Sequence, residues 1–413
     1  MSGALRILAV SDVSPLVIRG GAERMLWEYA SRLTARGHRV RIVSRSPDGA
    51  APELAERDGI AIRHFPVESR STLRFAWDSI QRGRRAAIEE ITRFAPDVLH
   101  VFQPLAAWGA LRSAVAGRVP SLYTFLSPAP LEYASRRGMT LRHRRGVAGC
   151  ATGRLLGLIE GSCVRRATRL HVLSDFSARQ LRELYRVPAD RIVKIPGGVD
   201  TDRFRPADDR AAARRALGWP DARPLLLTVR NLEARMGLDA LLRAVARVRH
   251  EAPGVLLHIG GDGSLRAPLE ALAASLGLSA HVRFLGFVAE RELPLAYQAA
   301  DLFVLPTREL EGFGLVTLEA LACGTPVLGT AVGAIPEVLG GLEPAWVVGA
   351  DAEALAAGVR DHLERAADPR DAAALRRRCR AYAERFDWRV VVERLERELR
   401  DVAARRPMPG ASA

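Results

Sequence analysis

Short apolar runs separated by helix-period stretches recur along the 413-residue chain. In the first half, 5-LRILAV-10, 39-RVRIVS-44, 97-DVLHVF-102, 119-VPSLYTF-125 and 169-RLHVLS-174 read as strands. Between the first two, Ala22, Leu26, Tyr29, Ala30 and Leu33 recur at helical spacing, and Gly37 ends that helix. The second half restarts in the same way with 224-PLLLTV-229 and a helix carrying Leu238, Leu241, Leu242, Val245 and Val248. It continues through 254-GVLLHIG-260, 281-HVRFLG-286, 301-DLFVLP-306 and 325-TPVLG-329. Strand–helix alternation argues for parallel sheets covered on both faces. Two such cycles, joined through 195-IPGGVDTDRFRP-206, predict an α/β protein of two doubly wound, Rossmann-like domains facing a cleft, over 1–195 and 196–385. The remainder, 386–413, holds an amphipathic helix at 388-WRVVVERLERELRDV-402 and a frayed tail from residue 406.

Composition narrows the class. An apolar content of 48% with 26% charged residues is ordinary for a globular protein, and no uncharged apolar run approaches a membrane span. The opening 4-ALRILAV-10 is too short for a signal peptide and reads as a first strand. Cys150, Cys163, Cys323 and Cys379 are scattered, without metal spacing, and are expected as reduced thiols of a cytoplasmic protein. The net charge of +14 raises a nucleic-acid partner, but 60 of the 61 basic residues are arginines spread along the chain and Lys194 is the only lysine. No aromatic-interleaved binding stretch accompanies them, so no nucleic-acid partner is expected. Two clusters are local, 82-RGRR-85 and 136-RRGMTLRHRR-145, the second in a stretch from Tyr133 to Ile159 without a single acid. Arg136, Arg137 and Arg142 of the second are candidates for an anionic acceptor or for lipid headgroups at the inner membrane face.

The chemistry concentrates in 309-ELEGFGLVTLEALACGTPV-327. From Gly312 to Pro336 the one charged side chain is Glu319, set in a helical pattern with Leu315, Leu318, Leu321 and Ala322. Burying a carboxylate among such residues is costly unless something bonds to it. Gly312 and Gly314 let a ligand approach the backbone N–H groups of a helix start, an anion site by geometry and dipole. Glu319, one turn further in, leans back toward that mouth, where a carboxylate can accept two vicinal hydroxyls such as those of a ribose. No cluster of carboxylates or histidines at metal-ligand spacing is visible, and neither a metal nor another cofactor is expected.

The run 306-PTRELEGFGLVTLEALACGTPVLGTAVGAIPEVL-339 closely resembles glycosyltransferase family 4, retaining enzymes of GT-B fold, and Glu311 and Glu319 match that family's paired-glutamate motif. Further segments resemble the family in the family's order, among them 20-GGAER-24, 195-IPGGVDTDRF-204, 230-RNLEARMGLDALL-242, 259-IGGDGSLRAPLE-270 and 298-QAADLFVLPT-307. The resemblance implies a GT-B fold whose C-terminal helix can cross back to the N-terminal domain. It implies transfer of a sugar from a nucleotide-diphosphate donor to a hydroxyl of a glycan or lipid-linked acceptor, in cell-surface polysaccharide or glycolipid synthesis. By position, Glu319 would hold the ribose, and Glu311 the donor sugar's hydroxyls near the reacting carbon. Phe313, Gly314 and Leu315 would receive the sugar or diphosphate through their backbone, and Gly286 and Phe287 would line the base. Arg230 would meet the diphosphate, where charge develops as it leaves. Gly21, with Gly20, matches the glycine loop that closes over donor or acceptor.

Two positions depart from the family pattern. Where members often carry lysine six residues after the arginine, this chain has Met236 preceded by Arg235, and Arg235 is expected as the second diphosphate contact. Where members usually end the strand 122-LYTFL-126 with a histidine near the donor sugar, this chain has Leu126, an apolar wall that predicts tolerance of a 6-deoxyhexose or pentose donor. His100 and His171 lie inside strand-like runs and read as core histidines, so the general base is left unassigned. Alternatives are a nucleotide-sugar epimerase of the same fold and, from another class, a catalytically silent, nucleotide-binding subunit of a glycan pathway.

Overall fold

The computed structural model describes residues 3–18, 20–47, 51–68, 71–136 and 151–405. Backbone contacts divide the chain into two units. The second runs from Gly198 to Trp388, and the chain from Arg389 onward groups with the first.

The first unit is built on an eight-stranded sheet of β1 (Arg6–Ser11), β2 (Arg39–Arg45), β3 (Leu54–Arg57), β4 (Ile60–Phe65), β5 (Val98–Phe102), β6 (Ser121–Phe125), β7 (Arg169–Val172) and β8 (Ile192–Lys194). Their spatial order is β3-β4-β2-β1-β5-β6-β7-β8. Every pairing is parallel except that of β3 with β4. Central strands β5 and β6 are buried at every residue, which is why they read as unbroken apolar runs rather than as alternation. The hairpin of β3 and β4 interrupts the expected strand–helix alternation. Its turn, Asp58–Gly59, has φ of +49° and +76°, the two left-handed residues of a tight hairpin, and this Asp-Gly pair was the available signal.

Strand ends in this unit are tied by buried polar groups. Asp12, just beyond β1, accepts from the N–H groups of Leu105 (3.0 Å) and Ala106 (2.7 Å) and so caps the helix Pro104–Leu111 from across the sheet. The C-terminal helix Trp388–Ala403 is amphipathic, as its pattern predicts, and buries Val391, Val392, Leu395, Leu399 and Val402. Within the first unit, Glu396 on this helix meets His38 at 3.1 Å and Arg36 at 2.5 Å, and Glu398 meets Arg169 at 3.2 Å.

The second unit carries a parallel sheet of β9 (Leu225–Val229), β10 (Leu256–Gly260), β11 (Val282–Gly286), β12 (Leu302–Leu305), β13 (Val327–Thr330) and β14 (Val347–Val348), ordered β11-β10-β9-β12-β13-β14. One face is covered by the helix Leu238–Val248, which buries Leu238, Leu241, Leu242, Val245 and Val248, the residues its period singles out. Among the described residues, no helix is long and apolar enough to cross a membrane. Cys163, Cys323 and Cys379 are buried free thiols, and Cys150 lies outside the described residues.

Candidate active site

The chain leaves β9 toward β10 on one side and later returns on the other side as β12. In open α/β sheets, ligands bind beyond the carboxyl ends of the two strands at such a reversal. Arg230 follows the last residue of β9, while Thr307 and Glu311 follow β12. The backbones of both charged residues are held in place. Arg230 N–H donates to Gly260 O at 2.9 Å, and Gly261 (φ +118°) approaches so closely that a Cβ there would sit 2.0 Å from the Arg230 carbonyl oxygen. Glu311 O accepts from Ala334 N–H at 2.9 Å, and a Cβ on Gly333 (φ +62°) would lie 2.2 Å from that oxygen. Only glycine fits either place without moving the backbone that carries the charge.

Their side chains converge. Arg230 donates from Nη2 to Glu311 Oε2 at 3.1 Å and from Nη1 to Thr307 Oγ1 at 2.9 Å. Thr307, fully buried, donates its hydroxyl proton to the same Glu311 Oε2 at 3.2 Å. The Arg230 side chain is 6% exposed and that of Glu311 is 15% exposed. Burial lowers the Arg230 pKa, Glu311 opposes that shift and nearby Arg235 adds to it. A guanidinium so far above neutrality keeps its charge. Its Nε–H is buried with no acceptor among the described residues, and Glu311 Oε1 accepts from none of them.

Gly314, in left-handed conformation at φ +81°, starts the helix Leu315–Ala322, which carries Glu319. Glu319 is 3% exposed and accepts from the Tyr297 hydroxyl at 2.9 Å. Tyr297, itself fully buried, is wedged edge-on between Phe204 and Phe303 at ring distances of 5.9 and 5.4 Å. The second unit therefore presents a guanidinium with unfilled donor capacity beside a carboxylate with one committed and one uncommitted oxygen. A second, buried carboxylate follows on the adjoining helix. Such a set can bind an anion and hydroxyl groups together.

Comparison with known proteins gives the family. The family description "Glycosyltransferase Family 4" matches residues 19–203, and "Glycosyl transferases group 1" matches residues 209–386. A D-inositol 3-phosphate glycosyltransferase of Saccharomonospora viridis is 32% identical over 398 residues, 91% of this chain and 88% of that one. The chain belongs to glycosyltransferase family 4. A second relative is a GDP-mannose-dependent alpha-(1-6)-phosphatidylinositol monomannoside mannosyltransferase of Mycolicibacterium smegmatis. It is 39% identical over 217 residues, half of this chain and 56% of that one. Among solved structures, sucrose-phosphate synthase from Thermosynechococcus elongatus superposes with a TM-score of 0.83 at 23% identity, covering 97% of this chain and 99% of that one. That likeness shows the fold, GT-B, built from two Rossmann-like units.

The other positions singled out in this family 4 glycosyltransferase fall as follows. Arg235 donates to the Leu310 carbonyl at 3.1 Å, and Met236, where the family often has lysine, is buried with its sulfur 2.8 Å from Arg230 Nη2. Phe313 and Leu315 are buried, Gly286 has φ +71°, and Phe287 beside it is 68% exposed. Gly21, in the first unit, is exposed as the first residue of the helix Gly21–Ala35. Leu126 follows β6 and is half-buried. His100 and His171 are buried in the first unit's core, both bonded to the Thr124 hydroxyl at 2.7 and 3.0 Å, and His171 also to Ile195 O at 2.9 Å. Burial holds the pKa of His171 at about 4 and that of His100 well below its usual value. Arg136 ends the helix Ala129–Arg136; its side chain, and all of Arg137 and Arg142, lie outside the described residues. Among the described residues no group of three potential metal ligands occurs. Sequence reasoning passed over Thr307 and Tyr297: a threonine after a strand and a tyrosine in a buried helix carry no signal until the fold sets them against the two glutamates.

Proposed function

We propose that this family 4 enzyme is a retaining glycosyltransferase that uses a nucleotide-diphosphate sugar, with Glu311 and Arg230 as its catalytic residues and no metal ion. The observation that carries the reading is the Arg230–Thr307–Glu311 cluster, with an unfilled N–H on the arginine and an uncommitted oxygen on the carboxylate. In this reading Glu311 Oε1 accepts from donor-sugar hydroxyls, and Arg230 meets the diphosphate, with Arg235 as a second cation. Gly286 and Phe287 line the base, Glu319 holds the ribose, and Phe313, Gly314 and Leu315 offer backbone groups to the sugar and phosphate. The acceptor hydroxyl oxygen bonds to the anomeric carbon as the carbon–phosphate oxygen bond breaks. The diphosphate leaves with the electron pair and takes the acceptor's proton, so no protein base is required. Arg230 stabilises the charge that grows on the leaving group, where a buried cation acts most strongly.

The two relatives are named for an inositol phosphate and a phosphatidylinositol mannoside, which favours a phosphorylated or lipid-linked acceptor here. A lipid acceptor agrees with the surface of the first unit. The helix Ala151–Arg166 exposes Leu155 (44%) and Leu158 (67%) beside Arg154 and Arg165, and its one acid, Glu160, is buried. Leu156 of this helix packs against a small apolar cluster of Ile80, Leu105 and Ile159, and the helix Thr72–Phe94 that supplies Ile80 also carries Trp77, 63% exposed. An apolar face rimmed by arginine suits an anionic bilayer surface, and this face would hold the enzyme at the inner face of the membrane.

The test is incubation with UDP-glucose, GDP-mannose and a 6-deoxy donor, with and without EDTA, scoring released nucleotide. Wild type should release nucleotide from at least one donor in either condition. Glu311→Ala should lose turnover at least about a hundredfold while nucleotide affinity stays within a few-fold, since its contacts act on the transition state. Normal turnover by that variant would sink the assignment, and loss with EDTA restored by magnesium would sink the metal-free reading.

A further inference from the structure

We propose that Thr307 is a positioning residue that keeps Arg230 and Glu311 from closing into a doubly bonded pair, leaving one edge of each for the donor. The inference rests on the reading that these two residues hold the donor sugar and its diphosphate.

An arginine set beside a carboxylate tends to a fork arrangement, its nitrogens matched to the two carboxylate oxygens. Here the match is incomplete. Nη2 takes Glu311 Oε2, but Nη1 takes Thr307 Oγ1, so the hydroxyl occupies the place of the second carboxylate oxygen. The direction of each bond follows from the groups. A guanidinium N–H can only donate, so the Thr307 oxygen accepts and its single proton goes to Glu311 Oε2. Both donors therefore load the same carboxylate oxygen, and Oε1 accepts from no described residue. On the far side, the Met236 sulfur lies 2.8 Å from Nη2, which limits rotation of the guanidinium away from this arrangement.

Thr307 is well placed for the task. It is fully buried, and its carbonyl accepts from the Thr330 hydroxyl at 2.5 Å, which ties it to β13. The backbones of Arg230 and Glu311 are pinned by Gly261 and Gly333, so neither residue can restore the geometry by shifting its main chain. Without the hydroxyl, Nη1 loses its acceptor, and the uncommitted Glu311 oxygen is the acceptor this proposal gives it. The pair then closes, and both charges are spent on each other.

Thr307→Val keeps the shape and removes the hydroxyl, and Thr307→Ser keeps the hydroxyl. The probes are whichever of UDP-glucose and GDP-mannose the wild type turns over, for kcat and KM, and the matching nucleoside monophosphate, for affinity by calorimetry. Thr307→Val should lower kcat at least tenfold and leave the monophosphate Kd within twofold, because ribose recognition is assigned to the Glu319 end. Thr307→Ser should stay within threefold of wild type in both. A fall of less than tenfold in the valine variant overturns the proposal. So does a parallel loss of monophosphate affinity, which marks general disruption, or a serine variant as impaired as valine. Glu311→Ala, assayed alongside, separates the two failures: if it retains turnover the underlying reading is wrong, and if it is inactive while Thr307→Val is normal only the role of Thr307 is wrong.

Discussion

Replacing Glu160 by glutamine should make the first unit more stable at neutral pH and change how its stability depends on pH. Glu160 is 1% exposed on the helix Ala151–Arg166. Its Oε1 accepts from the Tyr123 hydroxyl at 3.4 Å, and its Oε2 accepts from Ala129 N–H at 3.0 Å and from the Tyr185 hydroxyl. Ala129 begins the helix Ala129–Arg136, so these bonds and the helix dipole favour the anion. Burial outweighs them, Glu132 adds repulsion, and the carboxyl is pushed up from 4.5 to about 7. Between those values the folded state holds a proton that the unfolded chain has released, so wild type loses stability as pH rises. Over the interval of roughly 2.5 pH units the loss is about 3 kcal/mol, at about 1.36 kcal/mol per unit. Glutamine mimics the protonated form, its oxygen accepting from Ala129 and Tyr185 and its amide donating to Tyr123. His171, held at about 4 by burial, works in the opposite sense: its contribution is present above its usual 6.5 and is lost as pH falls toward 4. The two slopes offset each other in wild type, so the difference between variant and wild type is the quantity to follow. Urea unfolding of β5–β7, read by hydrogen exchange because a two-unit chain need not unfold in one step, should show that difference growing from pH 4.5 to about 7 and then levelling. A difference constant across that range would show that Glu160 is charged in the folded protein, and the reasoning would fail.

Two further outcomes concern ligand and surface. Glu319→Ala should weaken nucleotide binding by roughly 1–3 kcal/mol, the loss expected for charge-assisted hydrogen bonds. Unchanged affinity by calorimetry would reduce Glu319 to a structural carboxylate. Leu155→Ser with Leu158→Ser should cut sedimentation with vesicles containing anionic phosphatidylglycerol, and wild-type binding should fall as salt rises through the screening range. Equal pelleting of variant and wild type would remove this face from the membrane reading.

What was legible beforehand was whatever is encoded within one strand, one turn or one helix. The alternation of apolar runs and helix-period stretches specified two parallel-sheet units, because strands buried on both faces must be apolar throughout and their covering helices must carry one apolar stripe. The lone charge at Glu319 within an apolar helix marked a buried carboxylate with a bonded partner for a similar reason: such burial persists only when something bonds to the carboxylate. The Asp58–Gly59 hairpin was equally local and was overlooked because its flanking runs, Leu54–Arg57 above all, are short and polar. What tertiary structure alone decided is which distant groups meet. Arg230 donates to Glu311 across 81 positions of sequence, and Tyr297 reaches Glu319 across 22. Asp12 caps a helix 93 residues away. Periodicity reports which face of an element is buried but not which partner lies against it, since partners follow from strand order and from the few places where glycine lets two loops touch. For that reason Met236 read as a missing cation and proved to be a wall beside one, and Thr307 became visible only when the sheet set it between two charges.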